Sequence, residues 1–145
     1  MTRRVIDTLY IDAMLLADET RSYFDEGGRV EREALDPIAR VAFSCESLKV
    51  TTRLMHIIAW LLTQRAVDAG EMGPGDALDP SRRLGAAPVS DHSALAQMPE
   101  TARTLITASI DLHRRVAMLD QAQAERISTF DSPVRSLHQR LALAF

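Results

Sequence analysis

From Ile38 to Ala69 the chain contains neither glycine nor proline, while Asp36 and Pro37 precede this run and Gly70 follows it. Asp36 can cap a helix, Pro37 can open one, and nothing inside the interval breaks it, so the sequence predicts a helix of about 33 residues, roughly 50 Å long. A helix of that length spans a small domain from side to side, and every other segment has to be arranged around it. Its apolar residues fall into two stripes. The first is Ile38, Val41, Cys45, Leu48, Thr52, Met55, Ala59 and Leu62. The second, at 100° per residue, lies nearly opposite and comprises Phe43, Val50, Leu54, Ile57 and Leu61. Between them runs a polar strip, Glu46, Lys49, Arg53 and His56, ending at Trp60. A helix that is apolar on two sides must bury both. The first stripe is expected to face the other helices. The second, with Trp60, is expected to form a homodimer interface.

Two further segments carry the same periodicity. Ile6, Leu9, Ala13, Leu16, Thr20 and Tyr23 mark an amphipathic helix over about 4–26, closed by Gly27 and Gly28. Ala102, Leu105, Ser109, Leu112, Val116 and Leu119 mark another over about 99–127, opened by Pro99 with Glu100 in its first turn. The stretch 70–98 holds four of the six Gly and reads as one long loop. The expected architecture is all-α: an antiparallel three-helix bundle over 1–128, with helices at about 4–26, 36–69 and 99–127, followed by a short or disordered C-terminal tail over 129–145. A dozen residues make a marginal helix, so the tail, whose Val134, Leu137 and Leu141 can share a face, is expected to dock on a partner.

Composition narrows the function. The 145 residues are 46% hydrophobic but only 5% aromatic, enough for one core and one domain. Seventeen basic residues against twenty acidic ones, with no basic run, supply no field that would draw the chain to nucleic acid. Asp7 and Asp12 interrupt the N-terminal apolar stretch, which argues against a signal segment or a membrane span, and a lone Cys45 argues against a disulfide framework; both make the cytoplasm the expected location. Cys45, on the first stripe, reads as a small buried apolar residue.

No catalytic set, metal site or cofactor site is expected. The four His, at 56, 92, 113 and 138, have no ligand at the spacings helical metal sites use, and the glycines of 70–75 lack a following Lys and a preceding strand. Two other readings stay open beside a purely structural one. His113, followed by Arg114 and Arg115, could serve as the phosphoacceptor of a phosphorelay transfer protein, since the two guanidiniums could stabilise a phosphoryl group. Arg53 and Trp60 are residue types favoured at interface hot spots, and Arg82 and Arg83 lie in the long loop, where partner contacts are often carried.

The run AFSCESLKVTTRLMHIIAWLLTQRAV, Ala42 to Val67, resembles the signature segment of the RcdA family, small helical alphaproteobacterial proteins named for regulating degradation of the response regulator CtrA. Phe43, Cys45, Glu46, Ser47, Leu48, Thr51, Thr52, Arg53, Leu54 and Met55 carry the likeness, which continues in LHRRVAMLD, Leu112 to Asp120, and SPVRSLHQRL, Ser132 to Leu141. The resemblance implies a dimeric three-helix protein with a flexible C-terminal tail that acts as an adaptor. It would dock on a CpdR-primed ClpXP protease and present response-regulator substrates, directly or through other adaptors such as the cyclic-di-GMP receptor PopA. Delivery of this kind needs no chemistry, only a raised local concentration. The residues expected to touch partners are Val134, Arg135, Leu137, Arg140 and Leu141 in the tail with Arg82 and Arg83 in the loop.

Overall fold

The computed structural model describes the backbone of residues 3–144, and the side chains of these except residues 128–139. Five helices appear in order: α1 (Arg3–Ser22), α2 (Arg29–Glu33), α3 (Pro37–Asp68), α4 (His92–Ala96) and α5 (Glu100–Ala144). Three of them, α1, α3 and α5, pack into one bundle.

The ends of α3 are set by local chemistry. Asp36 is extended and its carboxylate accepts the Ala39 N–H at 2.8 Å, satisfying one of the donors that a helix start leaves over, while Pro37 has no N–H to satisfy. At the other end Gly70 adopts φ +78°, and the N–H groups of Gly70 and Glu71 bond back to Val67 and Ala66. That pair of bonds is a Schellman stop, and it needs a residue without a Cβ.

The first helix widens into a π turn at Tyr23–Gly27 before the chain reverses. The turn brings Phe24 and Tyr23 onto Phe43 of α3, with ring centroids 5.1 and 6.1 Å away. Tyr23 donates its hydroxyl to Glu31 on α2; burial first, then that carboxylate, push its pKa up. At the opposite end of the pair Arg65 lies over the Tyr10 ring and meets Asp7. Contacts of early α1 with late α3, and of late α1 with early α3, make the two antiparallel, as expected.

The relation of α3 to α5 differs from the expected one. Arg53 meets Ser109, Trp60 meets Asp120 and Gln64 meets Gln123, so both helices advance in the same direction. The chain therefore has to travel back along α3 before α5 can begin, which is what the long segment after Gly70 does. It is less bare than a plain loop: short 3₁₀ turns occupy Asp76–Leu78 and Pro80–Arg82, and α4 precedes Pro99. The last helix runs as one element from Glu100 to Ala144, past the boundary that Ser132 and Pro133 suggested.

The core inverts the assignment of the two α3 stripes. Phe43, Val50, Leu54, Ile57, Trp60 and Leu61 are buried in the bundle, with Ile6, Leu9 and Ala13 of α1 and Ala102, Leu105, Ile106, Leu112 and Val116 of α5. They fill the protomer's interior and cannot form a dimer interface. The first stripe points outward, leaving Ile38, Val41, Leu48, Met55 and Leu62 between 48% and 84% exposed, and Cys45 exposed as well. The reason is volume: the inner stripe holds a Phe and a Trp beside branched aliphatics, whereas the outer one is thinned by Cys45, Thr52 and Ala59. Phe43→Ala is expected to cost about 3–5 kcal/mol in urea unfolding of the dilute chain, whereas Leu48→Ala changes it by less than about 0.5 kcal/mol; similar costs would contradict the assignment of faces.

Candidate interaction site

The polar strip of α3 is where the sequence signal and the structure meet most closely. Lys49, Arg53 and His56 recur at helical spacing along one line of α3, and each binds a main-chain carbonyl of the returning segment. Lys49 Nζ donates to Val89 at 2.8 Å, Arg53 Nη2 to Pro88 at 2.9 Å, and His56 Nδ1 lies 3.1 Å from the Ala86 carbonyl. From α5, His113 Nε2 sits 2.8 Å from the Gly85 carbonyl. The segment thus forms a strap, residues 83–90, laid antiparallel to α3 against α3 and α5. The registers agree: seven helical residues rise about 10.5 Å, and three extended residues reach about 10 Å.

Beneath the strap all of the polar groups but Arg53 Nε bond one another or the strap. Arg53, 1% exposed, also donates to Ser109 and to Ser90 Oγ, and Ser90 passes its own proton to Glu46, which pairs with Lys49. Burial pulls the Arg53 pKa down and Glu46 opposes this. One turn beyond His56, Trp60 Nε1 donates to Asp120 Oδ1 at 2.9 Å. Arg83 Nε shares its proton between both oxygens of the same carboxylate at 2.9 and 3.0 Å, and that carboxylate holds the Arg83 pKa up.

These contacts reassign several expected site residues. Arg53 and Trp60 work inside the protomer. Arg83 is engaged by Asp120, while Arg82 is exposed. His113 is half-buried under the strap with Nε2 occupied, an arrangement that opposes a phosphoacceptor role for this ring. Of the tail residues, Arg140 and Leu141 are exposed on the last turns of α5; the side chains of Val134, Arg135 and Leu137 lie outside the described residues. Sequence reasoning overlooked Asp120 and Ser90, whose partners lie 60 and 44 residues away.

The outward stripe of α3 is the larger exposed feature. Ile38, Val41, Cys45, Leu48, Thr52, Met55, Ala59 and Leu62 alternate by three and four, the spacing of a coiled-coil seam. At its edge an open cleft of about 430 Å³ separates α3 from α1, lined by Met14, Ala17, Arg21, Leu54, Met55 and Ile58. Among the described residues no group of three His, Cys, Asp or Glu could hold a metal, and no helix is long and apolar enough to cross a membrane.

The whole chain, residues 1–145, matches a family described as a protein of unknown function, DUF1465. The crystal structure of RcdA from Caulobacter crescentus CB15 superposes with a TM-score of 0.65 at 34% identity, covering 81% of this chain and 89% of that one. The chain belongs to the RcdA family. No curated protein matches it significantly. Family membership accounts for the three long helices and leaves the surfaces to be read residue by residue.

Removing the carboxylate that joins Trp60 to Arg83 tests the internal half of this description. Asp120→Ala leaves a buried indole N–H and a guanidinium without their acceptor and is expected to cost about 2–3 kcal/mol, with red-shifted emission from the single tryptophan. Unchanged stability and emission would contradict the contact.

Proposed function

We propose that this RcdA-family protein is a cytoplasmic, non-enzymatic adaptor, acting as a homodimer, that binds regulatory proteins and delivers them to a ClpXP-type AAA+ protease. Its likeness to RcdA, at 34% identity over 81% of the chain, carries the reading. The surface is consistent with it in a specific way. A partner-free protein has no reason to keep five large apolar residues of one helix in water, and patches of that kind mark interaction sites. We assign the homodimer to the outward α3 seam, since the inner stripe is spent on the core.

A second copy on the seam leaves the far end of α5 free for other partners. There Arg140, Leu141 and Leu143 are exposed, the last at 88%. Together with Val134, Arg135 and Leu137 they form the proposed contact with protease or substrate, and Arg82, beside the Arg83–Asp120 pair, is a separate proposed contact on the loop. An adaptor built this way works by raising the effective concentration of one bound protein near another.

A reconstituted degradation assay tests this reading. The full chain, added to a ClpXP-type protease and a response-regulator substrate, is expected to accelerate substrate loss several-fold, and the double substitution Arg140→Glu, Leu141→Glu to remove most of that effect. Absence of stimulation by the full chain would overturn the adaptor reading; equal stimulation by both would overturn the tail contact.

A further inference from the structure

The strap is held in an unusual way. None of residues 83–90 is fully buried and Val89 is 85% exposed, so the apolar share of its seating comes mainly from Leu84, which packs half-buried against the core. Four carbonyls, of Gly85, Ala86, Pro88 and Val89, receive the helical side chains. Every extended peptide offers carbonyls at this spacing. With the strap seated, the groups beneath it are deeply buried: Glu46 is 2% exposed, Arg53 1% and Ser109 0%. The strap both covers these groups and supplies two of the Arg53 acceptors, so an occupant of the groove has to do the same or leave them to water. The strap also leaves the groove incompletely satisfied, since Arg53 Nε is buried and without a partner among the described residues.

We propose that the groove between α3 and α5 is a binding site for an extended peptide segment of another protein, which the chain's own residues 83–90 fill in the free state. The segment's chemistry follows from the places where the strap is read by side chain. Asp120 takes a basic residue, as it takes Arg83. The next position is apolar, since Leu84 packs against the core. The third is best filled by glycine, because a Cβ at Gly85 would stand 2.5 Å from His56 Nδ1 and force aside the ring that holds the following carbonyl. Beyond it small or extended residues suffice. The recognised pattern is therefore basic, apolar, glycine, followed by an extended run.

Exchange is feasible because it replaces like with like. The incoming carbonyls take the same donors, an incoming arginine or lysine takes Asp120, and the displaced strap returns its carbonyls to water. Such a competition lowers the apparent affinity of the peptide by the fraction of molecules whose groove is open. Weakening the strap without touching the groove raises that fraction. This site goes beyond the adaptor reading and does not depend on a protease being the partner.

Fluorescence polarisation of a labelled peptide, RRLGAAPVSD, copied from residues 82–91, tests the proposal on the full chain. Gly85→Val sets the strap against His56 while leaving every groove residue unsubstituted, and is expected to bind the peptide at least tenfold more tightly than the unaltered chain. The same peptide with valine in place of its glycine is expected to lose at least tenfold in affinity. Arg83→Ala, which removes only the Asp120 clasp, provides a second opened variant should Gly85→Val reduce helix content. If a variant of native helicity binds no better than the unaltered chain, or if the valine peptide binds as well as the glycine one, the proposal is overturned.

Discussion

A guanidinium taken fully out of water must be surrounded by acceptors, and Arg53 is where that demand organises the molecule. Its partners come from three separate parts of the chain: Ser109 on α5, and the Pro88 carbonyl and Ser90 hydroxyl on the strap, with Glu46 behind them supplying the opposite charge. Satisfying it therefore fixes where the returning segment lies and how α5 slides along α3. Because α3 and α5 run the same way, the chain has to retrace α3 between them, and a retracing backbone in a half-buried groove needs hydrogen-bond partners of its own. The polar strip provides them. The same side chains answer both needs.

That economy explains which parts of the fold could be read in advance. The starts of the three long helices, the Asp36–Pro37 cap, the glycine stop at Gly70 and the core faces of α1 and α5 depend on local spacing, and local spacing is what a sequence displays. The inner and outer faces of α3 depend on which stripe meets the other helices, and both are apolar, so periodicity alone does not distinguish them. Side-chain bulk was the available signal: Phe43 and Trp60 stand at the inner face, and Cys45, Thr52 and Ala59 dilute the outer. The direction of α5 was hidden because it is set by pairs such as Trp60 with Asp120, which no local pattern links. Lys49, Arg53 and His56 were visible as a strip between two apolar faces, and their role as carbonyl donors became clear only with the strap in place.

The surfaces left over after the core is assigned carry the functional argument. The α3 seam is regular, long and apolar, which suits a helix from a second copy. The exposed end of α5, with Arg140 and Leu141, stands apart from it, and the strap groove opens on another side of α3. Separate faces of this kind are what the proposed adaptor would use to hold more than one protein. Membership of the RcdA family fits that arrangement, and the adaptor reading rests on the two together.

All of this turns on which face of α3 is inside, and the single cysteine reports on it without any substitution. Cys45 lies on the outward seam and is exposed in the protomer. Its reaction with a thiol reagent, followed in folded protein over a range of concentrations, is expected to proceed in dilute solution nearly as fast as in denaturant and to slow as concentration rises and seams pair. A thiol protected in the dilute, folded chain would place Cys45 in the core and contradict the account.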